Sequence, residues 1–237
     1  MKPQVAAVIV AAGSGTRMGL GRKKKQYLCL DNRPILTHSI FVFQDSPVID
    51  QIVVVVKEED IAYCQQEIIK KYNLHKVSQV VAGGKERQDS VYQGLKALSL
   101  ATEIVLIHDG VRPLVPAKIL PEVVQAVRTY QAAVVAVPVK DTIKVVANGF
   151  IKGTPERNSL WAVQTPQGFY YPLIMEAYRQ AEKTGQKSTD DSKLVEALGK
   201  PIKVVVGDYC NLKVTTPEDI DIATALLKRR KKSCQLV

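Results

Sequence analysis

The chain has 237 residues, enough for a full hydrophobic core without a disulfide or metal staple, and its 46% apolar and 24% charged residues exclude disordered, collagenous and membrane-spanning classes. The formal charge is +10, but nine of those charges lie in the runs 22–25 and 228–232, leaving the rest close to balance. Two local clusters argue for one or two anion sites and against a nucleic-acid surface spread over the whole protein.

Residues 5–12 form the first apolar run and read as a strand buried on both faces. The run imitates the core of a signal peptide, but eight residues cannot span a bilayer, and Gly13-Ser14-Gly15 with a string of bases follows in place of a cleavage site. Further β-branched runs at 52–56, 77–82, 104–107, 132–137 and 202–206 predict strands. Amphipathic stretches at 34–45, 58–72, 86–99, 116–130, 172–183, 189–198 and 217–228 predict helices, several with proline near the first turn. This alternation predicts an α/β fold with a mostly parallel central sheet and helices on both faces. No internal repeat or low-complexity linker interrupts it, so 1–237 is expected to be a single domain. Cys29, Cys64, Cys210 and Cys234 are never closer than 24 positions, so no CxxC pair exists, and a reducing, cytoplasmic setting is expected.

One segment breaks the alternation. In 141–155, Asn148-Gly149 sits between two apolar stretches as a type I′ hairpin turn would, which predicts a protruding β-hairpin arm over about 139–158. Such a hairpin cannot bury Ile143, Val145, Val146, Phe150 and Ile151 by itself. Either its own domain or a second copy of the chain must cover it.

Two strand ends carry the candidate chemistry. The first strand runs into Gly13-Ser14-Gly15-Thr16-Arg17, and a glycine loop at the C-terminal end of a parallel strand lets backbone N–H groups converge on an anion. Arg17 adds a planar fork matched to phosphate, and Lys25 adds a second charge. The spacing is GxGxxxG and not the dinucleotide-binding GxGxxG, and no GxxxxGK[ST] motif exists. The alternative for this loop is a tight turn with solvated charges around it. The fourth strand ends in His108-Asp109-Gly110, delivering a carboxylate near the first loop, where a magnesium ion shared with substrate phosphates could bind. An ordinary Asp-Gly turn is the alternative there, and His108 reads as a packed histidine.

The motifs Ala11-Ala12-Gly13-x-Gly15-x-Arg17-Met18, Lys25-Gln26-Tyr27, Gly83-Gly84-x-Glu86-Arg87-x-Asp89-Ser90, His108-Asp109-x-x-Arg112-Pro113, Pro138-Val139-x-Asp141-Thr142-Ile143-Lys144, Arg157-x-x-Leu160-Trp161-x-x-Gln164-Thr165-Pro166-Gln167, Thr189-Asp190-Asp191 and Asn211-x-Lys213-x-Thr215-x-Pro217-Glu218-Asp219 occur in this order over nearly the whole chain. Together they resemble the 2-C-methyl-D-erythritol 4-phosphate cytidylyltransferases. The resemblance implies a Rossmann-like nucleotidyltransferase domain acting in the non-mevalonate route to isoprenoids. It further implies CTP and methylerythritol phosphate as substrates, Mg2+ or another divalent cation as cofactor, and a homodimer joined through the β-arm. No nucleic-acid or membrane partner is expected.

Carried over by residue, the resemblance assigns Ala11, Ala12, Gly13, Gly15, Gly83, Gly84 and Ser90 to the nucleotide. Arg17 and Lys25 would hold the triphosphate, Lys213 the α-phosphate and Asp109 the metal. Asp109, Arg112, Thr142, Arg157, Thr165 and Thr189 would serve the second substrate, with Thr142 and Arg157 reaching in from a neighbour's arm. Many relatives carry an acid at the position of Lys85, and some carry one at that of Cys210. From the residues alone, Lys213 reads as an exposed strand-edge lysine and Thr189 as a helix cap. Rival readings are a ribitol 5-phosphate cytidylyltransferase, an NAD(P)-binding oxidoreductase, and a nucleic-acid binder acting through the basic tail 228–232. That tail is expected to be a solvated, frayed terminus.

Overall fold

The computed structural model describes residues 4–13 and 24–234, with side chains as far as Arg230. Gly15 and Arg17 of the first loop lie outside the described residues. In chain order the strands are β1 (Gln4–Val10), β2 (Cys29–Leu30), β3 (Arg33–Pro34), β4 (Gln51–Val56), β5 (Val77–Ala82), β6 (Thr102–Asp109), β7 (Ala132–Pro138), β8 (Val145–Ala147), β9 (Phe150–Gly153), β10 (Trp161–Tyr170) and β11 (Lys203–Val206). The helices are α1 (Ile35–Gln44), α2 (Ile61–Tyr63), α3 (Arg87–Lys96), α4 (Ile119–Tyr130), α5 (Tyr171–Thr184), α6 (Ser192–Glu196) and α7 (Pro217–Cys234).

Seven strands form one sheet in the order β11-β7-β10-β6-β1-β4-β5. The pairs β6–β1, β1–β4, β4–β5 and β11–β7 are parallel, while β10 runs antiparallel to both β6 and β7. Alternation along each strand feeds two cores. Ala7 and Ile9 of β1 pack with Leu36, Ile40 and Phe43 of α1 on one face, and Ala6 and Val8 pack with Val91 and Leu95 of α3 on the other. Helices thus cover both faces, as the strand pattern predicts. Among the described residues, no helix is long and apolar enough to cross a membrane.

Helix ends follow local chemistry. α5 begins with Pro172 in its first turn and stops at Gly185, whose φ of +68° places it in the left-handed region and whose N–H closes on Ala181 O. The helix predicted over 58–72 is broken up: a 3-10 turn, Glu58–Asp60, leads into α2 and then a π-helical stretch, Cys64–Lys70, that turns Cys64 and Ile68 inward. The one predicted over 189–198 shrinks to α6, because Asp190 and Asp191 use their side chains in the turn before it.

Two differences from the sequence reading, and one element that it predicted, bear on function. The central strand β10 is absent from the predicted strands, because Gln164, Thr165, Pro166 and Gln167 interrupt its apolar pattern; its register shifts between Val163 and Gln167, and the Thr165-Pro166 bond is cis. The tail expected to fray is helical through Cys234, and Arg230 Nη2 donates to Leu114 O at 2.7 Å. Ile220, Leu226 and Leu227 of α7 pack on a third cluster with Leu30, Ile35 and Leu114. Finally, the arm forms as a two-stranded sheet of β8 and β9 around Asn148 and Gly149, both with positive φ as the type I′ turn requires. Among the described residues nothing covers it: Phe150 is 72% and Ile151 64% exposed.

Candidate active site

A cleft of about 750 Å³ opens at the carboxyl ends of β1, β4, β5 and β6. The chain order reverses here, since β4 and β5 extend the sheet on one side of β1 while β6 returns to its other side. Backbone packing shapes the walls. Ala11 N–H donates to Val55 O, Gly83 N–H to Val56 O, and the buried Gln26 amide to Ala11 O at 2.9 Å. A Cβ on Gly83 would lie 2.5 Å from Ala12 Cβ and 2.7 Å from Ser90 Oγ, and one on Gly84 would lie 2.3 Å from Asp89 Cβ. Only glycines let the loop after β5 approach the loop after β1 so closely. The Ser90 hydroxyl accepts from Gly84 N–H at 3.1 Å and donates to Glu86 O at 3.0 Å, tying that loop to the start of α3.

At the head of the cleft Asp109, 6% exposed, gathers three cations. Its Oδ2 lies 2.8 Å from Lys213 Nζ and 3.5 Å from Arg112 Nε, and its Oδ1 lies 3.2 Å from Arg87 Nε. Burial would raise the Asp109 pKa, but Arg87, Lys213 and Arg112 override it and hold the carboxyl well below the usual carboxylate range. Arg87 forks onto the buried Asp191 at 3.1 and 2.9 Å, and Asp191 also accepts from Tyr178 OH at 2.6 Å. Burial pulls the guanidinium down, yet Asp191 and Asp109 raise it further, so it is always charged.

Behind Asp109 a buried polar chain fixes the strand end. Thr165 Oγ1 accepts from Asp109 N–H at 3.1 Å and lies 3.0 Å from His108 Nδ1, while His108 Nε2 lies 3.2 Å from Arg112 O. This network assigns a neutral imidazole protonated at Nε2, and burial lowers the His108 pKa to about 4. Asn211 donates from Nδ2 to Gln164 Oε1 and to Thr165 O, and its backbone carbonyl accepts from Arg112 Nη1 at 2.7 Å. Two residues later, Lys213 reaches Asp109.

The cleft brings together Ala11, Ala12, Gly13, Lys25, Gly83, Gly84, Ser90, Asp109 and Lys213 from segments far apart in sequence. Lys213 is not the solvated lysine its local sequence suggests. Arg112 and Thr165 sit behind the carboxylate in the buried network and do not line the cleft. Thr189 is exposed on a neighbouring cleft of about 700 Å³, which shares Lys85, Glu86 and Arg87 with the first. It does not cap α6: Gln167 Oε1 and Asp190 accept the backbone N–H groups there. Thr142 and Arg157 are exposed at the arm, away from the cleft. Gln26, Arg87, Asp191 and Asn211 carry no role that local sequence reveals, because each acts through a partner that only the fold supplies. Among the described residues, no three His, Cys, Asp or Glu side chains gather to hold a metal ion. Glu58, Glu59 and Glu86 also line the cleft, and a single carboxylate such as Asp109, whose oxygens here face Lys213, Arg112 and Arg87, suits a hard cation whose shell is completed by phosphate oxygens and water.

Comparison with known proteins agrees with this arrangement. A model of the 2-C-methyl-D-erythritol 4-phosphate cytidylyltransferase family matches residues 5–229. The chain is 48% identical to the enzyme of that name from Geotalea uraniireducens, over 95% of this chain and 97% of the relative, and 50% identical to that from Desulforamulus reducens, over 98% and 99%. The structure resembles the crystal structure of 4-diphosphocytidyl-2C-methyl-D-erythritol synthase from Anaerococcus prevotii, with a TM-score of 0.83 at 34% identity over 95% of this chain and 96% of that one. It also resembles 2-C-methyl-D-erythritol 4-phosphate cytidylyltransferase from Thermus thermophilus, with a TM-score of 0.76 at 30% identity over 93% and 98%. Glycine-walled cleft, cation-ringed Asp109 and full-length similarity therefore lead to one assignment: the chain belongs to the 2-C-methyl-D-erythritol 4-phosphate cytidylyltransferases, nucleotidyltransferases of the non-mevalonate isoprenoid pathway.

Proposed function

We propose that the cleft binds CTP and that its cytidylyl group passes to 2-C-methyl-D-erythritol 4-phosphate, giving 4-diphosphocytidyl-2-C-methyl-D-erythritol and pyrophosphate. The observation that carries this reading is the convergence of Lys213, Arg87 and Arg112 on Asp109 at the head of a glycine-walled cleft large enough for a nucleotide. Ala11, Ala12, Gly13, Gly83 and Gly84 present main chain to the nucleoside, and Ser90 keeps the Gly83-Gly84 loop in shape. Gly15 and Arg17 lie outside the described residues, and the resemblance of their motif gives Arg17 the triphosphate together with Lys25.

In this reading a phosphate oxygen of the acceptor attacks the α-phosphorus of CTP. A new P–O bond forms, the bond to the bridging oxygen breaks, and pyrophosphate leaves with that electron pair. The acceptor phosphate is already anionic, so no general base is needed; the task is to bring two polyanions together and stabilise charge on the equatorial and leaving oxygens. Lys213 and Lys25 both line the cleft, and in this reading Lys213 takes the α-phosphate and Lys25 the rest of the triphosphate. Asp109 would hold the divalent cation by one carboxylate, and that cation would supply further positive charge to the phosphates when bound.

The acceptor site is incomplete within one chain. Thr142 and Arg157 sit on the bare arm, whose apolar residues need a cover, which supports a homodimer in which each arm serves the partner's cleft. We read residues 1–237 as one nucleotidyltransferase domain bearing that arm. Incubation with CTP, magnesium and methylerythritol phosphate should release pyrophosphate, and the same mixture without magnesium should not. Greater release with ribitol 5-phosphate would reassign the acceptor. Arg17→Ala or Lys25→Ala should lower turnover by about 10².

A further inference from the structure

The basic run beside the first loop contains two adjacent lysines, Lys24 and Lys25, that face different surroundings. Lys25 lines the cleft and Lys24 does not. The reason is local: Lys24 is extended, with φ −86° and ψ 128°, and a 3-10 turn starts at Lys25, so consecutive side chains leave in different directions. Lys24 Nζ lies 2.6 Å from Asp60 Oδ1 and 2.9 Å from Glu59 Oε1. Asp60 is 8% exposed, its other oxygen is buried without a hydrogen bond, and among the described residues Lys24 is the cation paired with it. Burial lowers the Lys24 pKa, but the bonds to the two carboxylates outweigh it and raise the value overall. The same turn is held from its other side by Gln26, whose amide donates to Ala11 O, and Tyr27 stacks edge-on against Tyr63 at 4.9 Å. Glu58 and Glu59 themselves line the cleft, as do Gly83 and Gly84.

We propose that Lys24 is a positioning residue for the reaction: clasped by Asp60 and Glu59, it fixes the backbone from which Lys25 enters the nucleotide cleft. The inference rests on the cytidylyl-transfer reading and on Lys25 acting at the phosphates. Lys24 itself touches no substrate and acts through its neighbour.

The test is a double-mutant cycle on pyrophosphate release with CTP, magnesium and methylerythritol phosphate. Lys24→Met should lower kcat on the order of tenfold, the scale of a misplaced catalytic group, with a smaller change in KM for CTP. Lys24→Arg should restore most of the loss. In a Lys25→Met background, adding Lys24→Met should cost less than about twofold, because the group it positions is already gone. Asp60→Asn, which keeps the shape but removes the anchoring charge, should reproduce the kcat loss and keeps the test open if Lys24→Met does not fold. Additive losses in the cycle, or wild-type kcat in folded Lys24→Met, would overturn the inference. So would unchanged or increased turnover in Asp60→Asn, since that marks a Lys24 released to bind phosphate itself. A wild-type enzyme that releases no pyrophosphate, or a Lys25→Met variant with normal turnover, would refute the functional reading and this inference with it.

Discussion

His108 and Asp109 are adjacent in sequence, yet burial treats them in opposite ways. Asp109 faces three cations and stays ionised, whereas His108, fully buried, loses its charge. The depressed imidazole value has a defined consequence for stability. The unfolded chain takes up this proton near pH 6.5 and the folded chain only near pH 4, so the contribution is complete above 6.5 and falls by about 3 kcal/mol as pH drops through that window. Urea unfolding between pH 7 and pH 4 should therefore be markedly less steep in pH for His108→Gln than for wild type. Asp109→Asn should lower stability by about 3 kcal/mol in the same assay at neutral pH, since it leaves the largely buried Arg112 without its counter-charge, while Arg87 keeps Asp191. Gly83→Ala drives a methyl group into Ala12 and Ser90 and should raise KM for CTP, with a loss of about 1 to 3 kcal/mol in thermal unfolding. At this scale Asp109 was legible because a carboxylate at a parallel strand end has a defined outlet. Arg87 and Asp191 were not, because their pairing spans 104 residues and no local pattern encodes it.

Among the elements, β10 is the one that most shapes the site and the one local pattern conceals. It slots antiparallel between β6 and β7 and carries Gln164, Thr165 and Gln167 into the buried network. A strand with a proline and three polar residues does not look central, and what makes it so is that each polar group finds a buried partner. Its fit against α4 is tight: a Cβ on Gly168 would lie 2.5 Å from Val123 Cγ1 and 2.8 Å from Val127 Cγ2. Gly168→Ala should cost about 1 to 3 kcal/mol in denaturant unfolding by wedging α4 off the sheet. α7 was likewise half-legible. Its start at Pro217 was readable, but its continuation beyond the basic run depends on a groove beside Leu114 that receives Leu227 and Arg230.

At the scale of the molecule, the unsatisfied surface is concentrated on the arm. Val145, Val146, Phe150 and Ile151 are all more than half exposed, on a two-stranded ribbon that has no core of its own. If the arm joins two copies as proposed, Phe150→Asp should leave thermal unfolding of the main sheet little changed, shift sedimentation from dimer to monomer, and reduce pyrophosphate release through the proposed contribution of Thr142 and Arg157 on the same arm. A variant that stayed dimeric and fully active would refute the arm's role. The alternation of β-branched runs with amphipathic helices, the type I′ turn at Asn148-Gly149 and the glycine loops beside strand ends all followed from sequence, because each depends on backbone preferences and burial patterns within a few residues. Tertiary structure alone decided which charges neutralise each other around Asp109, which of two neighbouring lysines faces the cleft, and that Thr165 supports the strand end from behind. Those outcomes depend on distances between groups far apart along the chain, and such distances exist only once the sheet has assembled.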